Sequence, residues 1–161
     1  VTDSVLRRAR YLVIEALYES ETSNHDPEEA FNRRVAESAA DDPEVAAAGP
    51  SGFGRGNLRG ILRRRDELDR YIQEAATQYP IDTLAVVDRN ILRLAIWELL
   101  SDNSAPVAAV VNEAVELAHR YGGESSPAFV NGVLRTVSQR IQAARAASPP
   151  AEAEPEQSTP S

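Results

Sequence analysis

The stretch Val87-Asp88-Arg89-Asn90-Ile91-Leu92-Arg93-Leu94-Ala95-Ile96-Trp97-Glu98-Leu99-Leu100 decides the fold. With Ile91, Leu94, Ala95, Trp97 and Leu99 inside it, its apolar content is too high for a helix with only one dry face. It predicts a central, largely buried helix over about 87–100. Pro80 stops whatever precedes it, and Asp82 opens a short turn in between. On the other side, Pro106 begins a helix whose Val107, Val110, Val111, Ala114, Val115 and Ala118 face inward until Gly122-Gly123 cap it. Ser126-Pro127 then supplies an N-cap and a first-turn proline to a last helix carrying Phe129, Val130, Val133, Leu134, Val137 and Ile141.

Upstream, Leu6, Ala9, Val13, Ala16 and Leu17 recur at three- and four-residue spacing, one stripe on a helix over Ser4 to Ser20. Arg7, Tyr11 and Tyr18 fall along one edge of its polar side. Asp26-Pro27-Glu28-Glu29 reads as an N-cap, a proline and first-turn acids, opening a helix to about Ala39. Asp42-Pro43-Glu44 repeats that signal weakly, and Gly49-Pro50-Ser51-Gly52 should end what it begins. A longer helical stretch follows from Phe53 to Tyr79 with an interruption near Arg64. No segment alternates as a strand does. The chain is therefore expected to be all-α, six to eight helices packed as one bundle or as two small subdomains sharing the central helix. The division is residues 1–145 for the helical domain and 146–161 for a disordered, acidic Pro/Ala-rich tail.

At 161 residues, with 42% hydrophobic and 26% charged residues, the chain has the composition of a globular protein large enough to bury its own core. It has no cysteine, which removes disulfides and thiolate ligands and fits a reducing compartment. No apolar run reaches the roughly 18 residues of a spanning helix, and no signal-peptide layout opens the chain; a cytoplasmic, membrane-free protein is expected. The net charge of −8, taken as a whole, argues against nucleic acid. Ten acids between Glu15 and Glu44, against two arginines, account for all of it. The remainder is neutral and carries two basic clusters: Arg7, Arg8 and Arg10, and the run Arg55, Arg59, Arg63, Arg64, Arg65 and Arg70.

Catalysis has little to work with. His25 and His119 are the only imidazoles, in separate segments without ligand spacing. Ser125 and Ser126 beside Gly122-Gly123 match neither a phosphate loop nor a serine elbow, so capping accounts for them. Glu113 and Glu116 read as a solvated helix face. No catalytic residue, metal or cofactor is expected.

Two groups of residues carry a family resemblance. Arg7-Arg8-Ala9-Arg10 followed by Ala16-Leu17-Tyr18 resembles the arginine-rich start of NusB proteins. More specific are Asp88-Arg89, Ile91-Leu92-Arg93-Leu94-Ala95, Trp97-Glu98-Leu99, Pro106, Val111-Asn112-Glu113-Ala114-Val115-Glu116-Leu117-Ala118 and Phe129-Val130-Asn131-Gly132-Val133-Leu134, in that order. The likeness covers most of 4–142 and is weak between 20 and 60. It implies an all-helical transcription antitermination factor that binds the boxA element of nascent ribosomal-RNA transcripts as single-stranded RNA. Its partner would be NusE, a small-subunit ribosomal protein, and through the pair the RNA polymerase antitermination complex. By the same resemblance Arg7, Arg8, Arg10, Ser125 and Phe129 would contact RNA, and Tyr18 and Asp88 would meet NusE. The chain departs from the pattern at Asp88, where the family often has glutamate, and at Ser125, where it often has an acid.

Arginines and an exposed aromatic are what single-stranded RNA needs: cations for the backbone, a ring for an unpaired base. Each residue also has a plainer role open to it. The arginines could be a solvated helix end, Phe129 half core and half platform, Tyr18 a boundary residue and Asp88 an N-cap. The acids Asp66, Glu67 and Asp69 point to pairing within the second arginine cluster at least as strongly as to RNA. Two further readings stay open: a NusB-like helical protein-interaction module without RNA binding, and a detached NusB-like domain of an rRNA methyltransferase.

Overall fold

A computed structural model of the chain describes residues 3–101 and 105–147. Eight α-helices and one short 3-10 turn make up the described residues, with no strand among them. The helices are α1 (Asp3–Ser23), α2 (Pro27–Ser38), α3 (Pro43–Ala46), α4 (Ala48–Arg63), α5 (Arg65–Ala75), α6 (Val86–Leu100), α7 (Val107–Tyr121) and α8 (Ser126–Ala147). Ala146 and Ala147 of the expected tail close α8, and 148–161 lie outside the described residues.

Helix α6 is the shared element. It packs against α1 and α4 on one side and α5, α7 and α8 on the other, while α1 also holds α2 and α3. Nine of its residues, from Asn90 to Glu98 and Leu99 with Trp97 excepted, are buried. Helix geometry turns successive residues through 100°, so such a run has no wet face and must be enclosed by neighbours on every side. One continuous core joins Phe31 and Ile14 from the first group to Leu134 and Val137 from the last, all at most 1% exposed.

Local chemistry sets the helix limits. Asn24, with φ 55°, takes the left-handed conformation that ends α1, three residues later than its apolar stripe suggests. The Asp26 carboxylate accepts the Glu29 amide at 2.9 Å, the expected N-cap of α2. The Gly49-Pro50-Ser51-Gly52 stretch corrects the sequence reading: it forms the opening turns of α4 rather than a loop. Amides in a helix's first turn have no acceptor within the helix, so Pro50 loses no bond there. Gly60, which weakens α4 on propensity alone, lies where a methyl group would overlap the Trp97 ring. Trp97 is fixed by its Nε1–H donating to the Asn57 side-chain oxygen Oδ1 at 3.0 Å. The interruption near Arg64 is a backbone break at φ −111°, ψ 21°.

Two more boundaries differ, those of α5 and α8, while Gly122 caps α7 as expected. Helix α5 ends at Ala75, because Gln73 turns back, donating to the carbonyls of Ala76 and Tyr79 and accepting from the Ile81 amide. Gly122 caps α7 in an extended conformation, φ −89°, not the left-handed one. A side chain there would collide with Ser126. The N-cap of α8 falls on Ser125, whose carbonyl accepts the Phe129 amide at 3.1 Å, while the buried Ser126 hydroxyl accepts the Gly123 amide at 3.0 Å.

Candidate functional site

The three arginines expected on RNA share the first three turns of α1, but none is a free cation. Arg7 is bidentate on Glu113 of α7, at 2.6 and 3.1 Å. Arg8 reaches Asp42 at 2.6 Å and Glu44 at 3.4 Å, so the acidic stretch folds back onto the basic one. Arg10 grips Glu98 of α6 at 2.7 and 3.0 Å and lies 5.1 Å over the Phe53 ring. The side chains differ in access: Arg7 and Arg8 are 42% and 41% exposed, Arg10 only 15% and its partner Glu98 5%. Arg7 and Arg8 can exchange a carboxylate for a phosphate at modest cost, since exposed pairs contribute about 0–1 kcal/mol. Arg10 and Glu98 form a buried tie between α1 and α6. Burial pushes the Glu98 carboxyl above its usual range despite the hydrogen bond and charge of Arg10. The reading of Glu113 as a solvated face is corrected: its carboxylate is half-buried and holds Arg7.

Further along the same edge of α1, Tyr11 meets Tyr121 edge to face at 5.8 Å, and the Arg120 guanidinium lies 4.3 Å from the Tyr11 ring centre. The Arg7–Tyr11–Tyr18 edge therefore looks onto α7. Beyond it Tyr18, 46% exposed, lines a groove of about 370 Å³ with Ile14, Glu15, Arg34, Val87 and Tyr121. Asp88 follows Val87 in the first turn of α6, not at its N-cap, which is Ala85. The Ala85 carbonyl already accepts the Arg89 amide at 3.0 Å, so the helix starts before Asp88. Among the described residues Asp88 Oδ1, which is buried, has no hydrogen-bond partner, and nor has Arg34 Nε beside the groove. A buried acceptor and a buried donor left unpaired cost free energy unless something docks against them. Tyr18 lines the groove, and Asp88 stands next in the chain to its lining residue Val87 without lining it.

Phe129 stands at the start of α8, half-buried against the core and edge-on to Tyr79 at 6.3 Å. It is part core and part platform. Ser125, exposed one turn before it, offers its hydroxyl to solvent. Tyr79 belongs to this aromatic edge; the sequence reading made it the last residue of the helical stretch from Phe53, whereas α5 ends at Ala75 and Tyr79 stands in the connection to α6.

The arginine run 55–70 pairs mostly across the fold. Arg59 binds Glu28 and Arg55 binds Asn32, both on α2, and only Arg64–Glu67 is local. Asp69 belongs to a buried network in which Arg93, 3% exposed, bridges Asp69 and Glu21 at 2.7 and 2.6 Å, with Arg89 on Glu21 at 2.6 Å. The conspicuous arginines Arg89 and Arg93 therefore lock α1 and α5 to α6. His25 and His119 are both exposed and far apart in the chain, and no group of three potential metal ligands exists among the described residues. No helix of the described residues is long and apolar enough to cross a membrane.

Known proteins match this chain along most of its length. A family model described as the NusB family matches residues 7–139. The chain is 38% identical over 135 residues to the transcription antitermination protein NusB of Dehalococcoides mccartyi (strain CBDB1), covering 84% of this chain and 90% of that one. It is 39% identical over 142 residues to the NusB of Chloroflexus aggregans, covering 87% and 91%. Among solved structures it is similar to NusB of T. maritima, with a TM-score of 0.75 at 32% identity over 83% of this chain and 90% of the other. It is also similar to a chain in a complex described as antitermination factors NusB and NusE with dsRNA. There the TM-score is 0.74 at 26% identity, covering 86% and 99%.

Proposed function

Since this chain belongs to the NusB family, we propose that it is a transcription antitermination factor, binding boxA RNA of nascent ribosomal-RNA transcripts together with NusE and acting without catalysis of its own. What carries the reading is the family match over residues 7–139, which spans the arginine-rich start, the groove and the helix of Phe129. A role on nascent transcripts places the protein in the cytoplasm.

The residues divide into two surfaces. RNA is met by Arg7 and Arg8, which release Glu113, Asp42 and Glu44 to take phosphates, and by Phe129 with the Ser125 hydroxyl one turn away. Arg10 serves this surface by holding α1 against α6 through Glu98. NusE docks over the groove at Tyr18 and on to the adjoining first turn of α6, where Asp88 Oδ1 accepts a donor from the partner and loses its desolvation penalty. Nothing in this scheme asks for a nucleophile, a metal or a cofactor.

A helical protein-binding module without RNA is favoured by one observation: each arginine of the 7–10 cluster already has an intramolecular carboxylate. Alanine at Arg7 and Arg8 separates the two readings. If these residues meet phosphates, the double variant binds boxA RNA more weakly, with a log–log salt slope flatter by about 1.4, at 0.7 per lost contact on a single strand. An unchanged slope together with unchanged NusE binding would favour the module.

A further inference from the structure

The cleft between the α5–α6 connection and the start of α8 has a composition that a nucleotide would fit. Its ≈ 330 Å³ are lined by residues 75–79 and by Ala128, Phe129, Gly132 and Val133. Tyr79, at 52%, is the most exposed of the large hydrophobic side chains described. Its position is not loose: its carbonyl accepts from Gln73 Nε2 at 3.0 Å and its amide donates to the Ala76 carbonyl at 3.2 Å. The Tyr79 and Phe129 rings stand at 89° to one another, a corner that lines the cleft. Beside them the helix backbone is bare, since a Cβ on Gly132 would meet nothing within 4 Å.

A charge follows further along α8. Arg135 is one turn beyond Gly132, about 4.5 Å along the axis, and its side chain is exposed with no acidic partner among the described residues. In a chain of net charge −8, where Arg7, Arg8, Arg10, Arg59, Arg89 and Arg93 are all neutralised internally, Arg135 is one of the arginines left without a carboxylate among the described residues, and it shares α8 with the half-buried Phe129. An occupant complementary to all three groups has a flat π face and an anion within a few ångströms of it. An unpaired nucleotide has both, whereas an apolar peptide side chain would leave the cation unused.

We infer that Tyr79, Phe129 and Arg135 form a nucleotide subsite: one unstacked base of the bound RNA lodges in the Tyr79–Phe129 corner against Gly132, and a neighbouring phosphate meets Arg135. The inference rests on the RNA-binding reading above and adds Tyr79, Gly132 and Arg135 to it. It is tested with the full chain and NusE, using boxA RNA in which 2-aminopurine replaces each base in turn. One position is quenched on binding. Tyr79→Ala abolishes that quench and weakens Kd roughly 5- to 100-fold, the span expected for one base–aromatic stack, while Tyr79→Trp retains both. Arg135→Ala flattens the log–log salt slope by about 0.7. Gly132→Ala raises Tm, because a methyl in an exposed helix interior meets no neighbour, and yet weakens RNA binding by intruding on the base. Parent-like affinity, quench and slope in Tyr79→Ala, Arg135→Ala and Gly132→Ala would overturn the subsite while leaving the RNA-binding reading intact. A parent chain that binds no RNA would overturn both.

Discussion

Replacing Arg10 with alanine would leave a carboxylate without its counter-charge in the interior. Glu98 is 5% exposed and receives two guanidinium hydrogen bonds, at 2.7 and 3.0 Å, from a side chain itself 15% exposed. Removing one partner of such a pair costs about 3–5 kcal/mol, against a total stability of roughly 5–15 kcal/mol for a domain of this kind. Loss of the packing of Arg10 over Phe53 adds to it. Urea denaturation followed by circular dichroism is therefore expected to show a deficit of about 3 kcal/mol or more. The pH dependence is fixed in sign. Burial already raises the folded-state pKa of Glu98, and without Arg10 nothing opposes that burial. The folded variant then binds a proton more readily than its unfolded chain, so its stability falls as pH rises, and the deficit at about pH 8 shrinks towards about pH 5. The double variant Arg10→Met, Glu98→Leu, which removes both charges and refills the space, should recover most of the loss. An Arg10→Ala protein as stable as the parent at both pH values would refute this assignment and return Arg10 to the RNA surface.

Gly60→Ala drives a methyl into the Trp97 ring, so a net loss of about 1–3 kcal/mol is expected despite the better helix propensity. As the chain has a single tryptophan, a red-shifted emission spectrum would report its displacement, and an unshifted spectrum with parental stability would contradict the packing. For Glu21, burial opposes ionisation, but the Arg89 hydrogen bond and the charges of Arg93, Arg89 and Arg65 outweigh it and hold the carboxyl below 4.5. Glu19 is held at about 2, first by the Arg33 hydrogen bond and then by that of His25. Depressed carboxylates stabilise the fold above their unfolded values and lose that contribution as pH falls through the folded ones. The urea midpoint should thus drop steadily below about pH 4.5, less steeply in Glu21→Gln, which starts lower; identical slopes would show that the network does not act this way. Asp88→Ala is expected to leave RNA binding by the isolated chain unchanged and to weaken NusE binding, measured by calorimetry, because it deletes the buried acceptor beside the groove.

Much of the fold is legible in the sequence because helix period and proline position act locally. Pro27, Pro106 and Asp26 mark starts within a residue or two, and the apolar density of 87–100 identifies the helix that everything else surrounds. Where the reading failed, tertiary contacts decided. Gly49–Gly52 looks like a breaker until the first-turn position of Pro50 is known, and α5 stops at Ala75 through Gln73, whose role depends on a loop it meets later in the chain. The site residues were legible as types but not as states. Nothing local in Arg7-Arg8-Ala9-Arg10 says that Glu113, Asp42 and Glu98 arrive from three other elements to neutralise them, or that Arg10 faces inward. Arg89 and Arg93 read as part of a signature, and only packing reveals the Glu21–Asp69 network they close. Tyr79 reads as the end of a helix, and nothing local says that the chain leaves the helix before it and sets its ring against Phe129.

The most direct test of the account is a fluorescence titration of boxA RNA with this chain, alone and with NusE, across a salt series and against a scrambled RNA of equal length. The account predicts sequence-dependent binding that strengthens with NusE and weakens with salt along a log–log slope of about −0.7 per phosphate contacted. No binding in either condition, or equal binding to the scrambled RNA with no effect of NusE, would contradict it.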